Sequence, residues 1–529
     1  MASRTLTLGH NQYPLVLPSV RDPRLHVAAV IITIHVLGQV GLHFRVSVPQ
    51  ILAAMLTTAI IEVVLTFRQS RAFVWPASAM LTGSGVALIL RLVGTSADDP
   101  WNTSGWYVFA GVAGLSLLSK YVIRYRGSHV FNPSNIGLVL AFIVLGNSRV
   151  EPLDFWWAPL NAWMVAAYVV IVGGGLLITR RLHLLALAAT YWVGLSAAVG
   201  LLAGSGHCMT ANWAFAPVCG ADFWRVIVTS PEVMIFLFFM ITDPKTVPAG
   251  RVGRIVFALL VAATSTLLMA PQTNEFGTKV GLITGLVAIC AVRPVLDRWL
   301  PEPRSAADDL RRFASRLIVG AGGGSRILRP AAGIVGATLA VLVVGVAVVA
   351  AGTPARGLVV PDTTEMLSGA PRTVDPATLP AIEVSQDVTD FDHAIAADAP
   401  QVLVILAQNL EIENQALLRA DPGLLAAVDH GDRLEEMQAR LKDAVASGQT
   451  VLFHYRFESV HVTLIVPFGV QTGASLGFDS RGTVTRETYD AAGVLHSSQT
   501  EPFAATFTVR RATGARWLNV AVLPPGTGT

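Results

Sequence analysis

The sequence predicts a polytopic α-helical membrane protein that carries a soluble α+β domain behind its last helix. Three observations predict this. Residues 1–352 hold eleven apolar stretches of the length a bilayer asks for, about 20 mostly apolar residues per helix. Arginines and lysines crowd into every second gap between those stretches. From residue 353 the composition changes to that of a soluble domain of ordinary size. The averages over 529 residues, 53% hydrophobic, 14% charged and a mean hydropathy of +0.56, therefore blend two unlike parts.

The expected spans are 26–43, 48–67, 73–92, 105–122, 130–146, 159–178, 183–203, 223–241, 254–270, 279–296 and 329–352. One set of gaps holds Arg4, Arg21 and Arg24; Arg68 and Arg71; Lys120, Arg124 and Arg126; Arg180 and Arg181; Lys245, Arg251 and Arg254; and a run from Arg293 to Arg326. The other set holds little beyond Arg45, Arg91, Arg149 and Lys279. The positive-inside rule then predicts a multi-pass protein of the plasma (inner) membrane with a cytoplasmic N-terminus and an extracytoplasmic C-terminal domain. The first 25 residues are polar and contain proline, and the apolar run behind them exceeds a signal-peptide core, so no cleavable signal is expected. The formal charge of +3 sits in the basic gaps, where it reports orientation and contact with anionic lipid; no nucleic-acid partner is expected.

The first ten spans divide into two five-helix halves that start from opposite sides, an inverted repeat. Span three opens with Val74-Trp75-Pro76, and span eight carries Thr229-Ser230-Pro231 about a third of the way in. Proline removes a donor and clashes with the preceding turn, so a break is expected in the third helix of each half; two unrelated kinks would look the same. The expected domains are a ten-helix membrane domain at 1–300, a cytoplasmic amphipathic linker at 301–328, the eleventh span at 329–352, a Pro/Thr-rich linker at 353–385 and an extracytoplasmic α+β domain at 386–529. In the linker, Leu310, Phe313, Leu317 and Ile318 at helical spacing among arginines suit an interfacial helix. The glycines at 320–324 lack the Lys-Ser/Thr ending of a phosphate loop. In the tail, 401–419 and 423–446 read as helices with Pro422 between them. Period-two alternation from Val451 then predicts an antiparallel meander with a turn at Ala492-Gly493 and Trp517 in the core. Helices followed by a meander resemble the cone-shaped NTF2-like fold.

Cys208 and Cys219 share one expected outer loop and are candidates for a disulfide, with free thiols or a metal site including His207 as alternatives. Cys290 sits in an apolar helix as a small hydrophobe. Two polar segments are unusual for a membrane chain, Ser119–Asn135 (SKYVIRYRGSHVFNPSN) and Phe239–Pro248 (FMITDPKTVP). Asn132 suits a helix cap and Pro133 the first helical position, so free donors beside Lys120, Arg124 and Arg126 would make an anion site, or an ordinary cap beside a basic anchor.

These two segments resemble the paired signatures of the RnfD/NqrB membrane-protein family over residues 20–300. That family includes membrane components of the Rnf electron-transport complex and of the sodium-pumping NADH:quinone reductase. It also includes the UnbU-like branch found beside enediyne antibiotic genes. The resemblance implies a ten-helix bundle that binds flavin and passes electrons across the membrane with coupled ion movement. The electron-transport members attach FMN to a threonine in Ser/Thr-Gly-Ala-Thr, and this sequence has no such motif in the region. The UnbU-like branch is therefore the better match, and the implied cofactor is a non-covalent flavin, FMN or riboflavin. Its expected contacts are Lys120, Arg124, Arg126, Asn132, Asn135, Asp243, Lys245 and Thr246. A redox partner protein and a role in enediyne-type biosynthesis are implied in the same way.

Ionisable groups within spans are costly and usually face a cavity or partner. His35, Glu62 and Glu232 are candidates for a proton or cation path, or for plain pairing with neighbouring helices. Asp243 is expected to pair with Lys245 or an arginine of 120–126. In the tail, His454 and His461 are seven apart on one strand and so expected on opposite faces, with no catalytic constellation and no metal spacing around them. The tail is expected to dock a protein or small ligand. A redox subunit, a transporter or channel, and a membrane scaffold are the functions carried forward.

Overall fold

Eleven apolar helices follow one another along the described residues: α1 (Pro23–Val40), α2 (Val48–Ser70), α3 (Ala77–Ile89), α4 (Trp106–Val122), α5 (Pro133–Leu145), α6 (Ala162–Arg181), α7 (Leu185–Gly204), α8 (Gly220–Met240), α9 (Arg251–Met269), α10 (Glu275–Trp299) and α11 (Leu328–Ala351). The computed structural model describes the chain apart from residues 1–3, 9–10, 20–21, 43, 94, 96–98, 148, 153–161, 212–213, 306–307, 314–327, 357–373, 392, 466–474, 512–515 and 528–529. The glycine run at 320–324, Leu317 and Ile318 lie outside the described residues. Seven of these helices, α1, α2 and α6–α10, are long and apolar enough to cross a membrane.

α2 shows how these sequences turn apolar side chains outward. Ser47 and Gln50 close a capping box at its start. Leu52, Leu56, Ile60 and Val64, four apart, are exposed, while Ile51, Ala54, Thr58 and Glu62 are buried. An exposed apolar stripe is unfavourable in water and favourable in hydrocarbon. Exposed Trp101, Trp106, Tyr107 and Trp163 stand at helix ends expected outside, and Trp75 and Trp299 at ends expected inside, as interfacial anchors do.

Two expected spans are shorter than the hydropathy suggested. α3 and α5 have 13 residues each, since Pro76 and Pro133 set their starts. Beyond them the chain is extended, and β4 (Leu90–Leu92) pairs with β7 (Val150–Pro152). α8 is broken where the proline predicts: Gly220–Thr229 ends, Ser230 caps a new turn at Pro231–Ile235, and a π-helical segment Phe236–Met240 follows. α6 has a π segment at Val169–Gly173. An N-terminal hairpin, β1 (Arg4–Leu8) with β2 (Asn11–Val16), joins β3 (Phe73–Val74), and Tyr13 packs on Phe67 and Phe73. The proline-containing N-terminus had given no sign of it.

The helix neighbours repeat between halves. α2 packs on α3 and α4, α4 on α5, and α1 on α3; α7 packs on α8 and α9, α9 on α10, and α6 on α8. The halves meet through α1 against α6 and α5 against α10. Both α4–α5 and α9–α10 use a glycine against a serine: a Cβ at Gly137 would lie 1.7 Å from Ser116 Oγ, and one at Gly285 2.2 Å from Ser265 Oγ. α11 packs against α7 and α9.

Two side contacts fix the loops. Cys208 and Cys219 form a disulfide that closes the hairpin of β8 (Cys208–Ala211) and β9 (Ala214–Cys219). Reducing it, or replacing both cysteines with serine, is expected to cost about 3 kcal/mol from loop-closure entropy; melting with and without reductant measures this. Beyond α10, Asp308 accepts the backbone N–H of Arg251 (3.0 Å) and Val252 (2.8 Å), capping α9 where Gly250 offers no side chain. Burial raises the Asp308 pKa, but these donors and the Arg304 N–H outweigh it and hold the carboxyl below its usual range. Asp308→Ala should cost about 1 kcal/mol. The cap contribution should disappear as pH falls through the lowered Asp308 pKa, read as a lower melting temperature in acid.

By chain contacts the protein forms two units, Met1–Trp156 with Leu160–Met209 and Cys219–Leu358, and Trp157–Pro159 with Thr210–Val218 and Val359–Thr529. In the second, α12 (Gln386–Phe391), α13 (His393–Arg419), α14 (Pro422–Val428) and α15 (Asp432–Ser447) pack with a five-stranded sheet. Its strands are β10 (Ile382–Val384), β11 (Gln449–Ile465), β12 (Ser475–Asp490), β13 (Leu495–Arg511) and β14 (Trp517–Leu523), in that order, with β10 parallel to β11 and the rest antiparallel. The second expected helix is split at Gly431, whose φ of +60° suits glycine. Trp517 is in the core beside Phe457, Phe478 and Phe507, and Gly493 (φ +75°) makes the β12–β13 turn. Asn414 of α13 caps the free edge of β11, donating to Phe453 O and accepting from Phe453 N–H.

Candidate functional site

Two buried Glu–Lys clusters lie among the described residues of the helical unit. Lys120, two residues before the end of α4, bonds both carboxylate oxygens of Glu62 on α2 at 3.1 and 3.0 Å. Tyr121 donates to the same carboxylate at 2.8 Å, and Ser78 lies 3.3 Å from the ammonium. Near the start of α10, Lys279 is 2.7 Å from Glu275 and 3.7 Å from Glu232, just past the break in α8. By the expected orientation α4 ends at the cytoplasmic side and α10 starts at the other. That orientation would put one buried acid–lysine cluster toward each face. Buried ions persist only when paired, so each cluster marks a site where charge is deliberately held.

The two signature segments interlock. β5 (Arg124–Tyr125) and β6 (Ser128–His129) form a hairpin whose turn, Arg126 (φ +48°) and Gly127 (φ +80°), has the left-handed geometry of a type I′ turn. This presents His129 to Asp243 at 2.9 Å. Asn132 caps α5 through Asn135 N–H and donates to Met240 O. Ser134 donates to Thr82 O and Asn135 to Ile283 O at 3.0 Å. Asp243 also accepts the Lys245 N–H, Thr246 donates to Asp243 O, and Arg293 of α10 donates to the carbonyls of Lys245 and Thr246. Segments from both halves are therefore tied into one knot.

This geometry corrects several expectations. Asp243 meets His129, not an arginine of 120–126, because the hairpin turns those arginines outward. Lys120 is held by Glu62, so it is not a free phosphate ligand. The start of α5 is closed off: Asn132, Ser134 and Asn135 are buried. Arg124 and Arg126 are exposed, Arg124 bonding Gly127 O and Arg126 stacking on Tyr125. The eight residues expected around a flavin consequently do not fit one buried among them. Asn132, Asn135, Asp243 and Thr246 spend their polar atoms on each other, on His129 and on backbone, apart from Asn135 Oδ1.

His35, Glu62 and Glu232 each meet a different helix. His35 Nε2 is 3.2 Å from Ser84 Oγ and 3.3 Å from Ser84 O. Cys290 is a buried free thiol, as its apolar helix implies. His207 is fully buried against Phe223, and burial, with Arg356 nearby, lowers its pKa to about 4, so it is neutral.

In the C-terminal unit His454 and His461 share one face. A bulge between Phe457 and Ser459 inserts a residue, so they pair with Thr485 and Asp479, six apart on β12. Parity counting fails because the bulge leaves no mark in the alternation. His454 bonds Glu411 at 3.0 Å, which raises its pKa. A buried network that sequence reasoning missed ties α13 to α15: Arg433 bonds both oxygens of Glu413, Asn519 donates to Glu413 at 2.8 Å, and Asp429 lies beside them.

Sequence reasoning also passed over Tyr121, His129, Glu275, Lys279 and Arg293. Lys279 was legible as a charge four residues after Glu275 on a helix; the others depend on contacts distant in sequence. Among the described residues no group of His, Cys, Asp and Glu could hold a metal ion. The chain matches no family model and no curated protein.

Proposed function

We propose that the helical unit moves a proton or small cation across the bilayer, as a membrane protein of the RnfD/NqrB kind. The observation that carries this reading is the pair of buried Glu–Lys clusters, Glu62–Lys120 near the end of α4 and Glu232–Glu275–Lys279 near the start of α10, in two halves whose helix neighbours repeat; the expected orientation puts them toward opposite faces. Inverted halves with interrupted helices are a recurrent design for moving ions, with the site where helices begin inside the membrane. α5 at Asn132-Pro133 and the second segment of α8 at Ser230-Pro231 begin in that manner. In reconstituted vesicles, ion flux should fall when Glu62 or Glu232 is replaced by glutamine. Undiminished flux in both variants would remove the clusters from the path.

A second reading keeps the family's electron transfer through a non-covalent flavin. The outward-facing Arg124 and Arg126 favour it, since they remain available to a phosphate or to an acidic redox partner. Absorbance and fluorescence of purified protein, before and after denaturation and filtration, test it: released flavin supports it, and colourless folded protein that takes up neither FMN nor riboflavin rejects it. For the C-terminal unit, the NTF2-like reading and a docking role rest on long helices packed against a bent meander. Service to enediyne-type biosynthesis, or as a membrane scaffold, would act through that unit.

A further inference from the structure

Besides the charged clusters, a seam of neutral polar groups crosses the bundle from α1 through α3 and α5 to α10. It starts at His35 of α1, which is 7% exposed, against Ser84 of α3. Next to Ser84, Gly85 leaves the space into which Ser134 of α5 fits, for a Cβ there would lie 3.0 Å from Ser134 Oγ. Ser134 bonds Thr82 O at 3.1 Å, and its neighbour Asn135 bonds Ile283 O of α10. Two atoms along this seam are buried with no hydrogen-bond partner: His35 Nδ1 and Asn135 Oδ1.

Orphaned buried polar atoms are rare because each costs about 1–3 kcal/mol, and water is their usual remedy where the surroundings are polar. The chemistry of the two orphans is specific. The Ser84 carbonyl can only accept, so Nε2 of His35 carries the proton and Nδ1 presents a bare lone pair. Asn135 donates through Nδ2, so its Oδ1 also waits for a donor. Both orphans therefore call for O–H groups. His35 is the one titratable side chain among these seam residues, and the seam contains no carboxylate.

We propose that this seam holds a file of water molecules along which protons pass, with His35 as the relay, so that the species moved is the proton and not sodium or a larger solute. The inference rests on the ion-moving reading above and names its cargo. A proton arriving from water forms a bond to Nδ1. The Nε2–H bond then breaks toward Ser84 Oγ, whose own proton passes on to the next water. One proton enters and one leaves, and reorientation of the neutral ring, which carries its remaining proton back to the Ser84 side, restores the start. Ser84 orients the ring, and Ser134 and Asn135 position the waters.

The full-length protein in vesicles containing a pH-sensitive dye, driven by a potassium diffusion potential, provides the test, with radioactive sodium uptake measured in parallel. Wild type should move protons, and His35→Gln should reduce that flux roughly a hundredfold or more, the scale of losing a positioned acid–base group. Ser84→Ala, a smaller change, should slow it as well while melting like wild type, which covers the case of a poorly folded His35 variant. Sodium flux without proton flux, or a folded His35→Gln that conducts protons normally, would overturn the proposal and leave the ion-moving reading standing. Wild type that moves neither ion would remove both.

Discussion

Glu62→Gln is expected to destabilise the helical unit by about 3–5 kcal/mol, because it leaves the Lys120 ammonium buried without its counter-charge. The side chains of Lys120 and Glu62 are only 15% and 12% exposed, so little solvent is present to take over. Glutamine matches the size of glutamate and keeps an acceptor for Tyr121, so the loss is one of charge and not of packing. Lys120→Met should be comparably harmful through the orphaned carboxylate. The double variant should recover a large part of either loss, since replacing both ions by neutral groups removes the desolvation cost as well. Thermal unfolding of the four proteins in detergent reads the cycle. Single variants that melt with wild type would mean that the pair carries no net burden in the fold.

The stability of the C-terminal unit should fall on both sides of a pH optimum, and one carboxyl should govern each limb. Burial alone would raise Glu413, but the Arg433 guanidinium and the Asn519 amide hold it below the ordinary carboxylate value. A lowered folded-state pKa contributes stability above the unfolded value and loses it as pH falls through the folded one, so Glu413 sets the acid limb. Asp429, 1% exposed, goes the other way: burial, then the neighbouring Glu413 charge, push it well above the usual range. A raised carboxyl contributes stability below the unfolded value and loses it as pH rises through the folded one, so Asp429 sets the upper limb. Asp429→Asn should flatten the upper limb and leave the acid limb in place. Glu413→Gln should cost about 3–5 kcal/mol near neutrality by stranding Arg433. Melting temperature against pH for both variants checks the assignment, and an Asp429→Asn profile parallel to wild type would contradict it.

How much of this was legible in the sequence follows from the range of the forces involved. The apolar helices were legible because transfer into hydrocarbon depends on composition over one short window. The starts of α3, α5 and the second part of α8 were legible because proline acts on its own turn. The length of α3 was not, since its apolar residues continue into β4 in extended form. Glu62 and Lys120 were each conspicuous, yet their pairing across 58 residues of chain is a matter of helix packing that periodicity does not encode. The anion site imagined at Asn132 failed for a related reason: a cap motif specifies a helix start and says nothing of the Asp243 loop that covers it. His454 and His461 were assigned to opposite faces by a parity that one bulge reverses.

The most direct measurement of the central claim is the charge carried by the wild-type protein in vesicles on a solid-supported membrane, after a step in pH or in sodium concentration. The account expects a current that saturates with the driving ion and is absent from empty vesicles and from the Glu62→Gln, Glu232→Gln double variant. Vesicles containing folded, correctly inserted protein that pass no current under either gradient would contradict it.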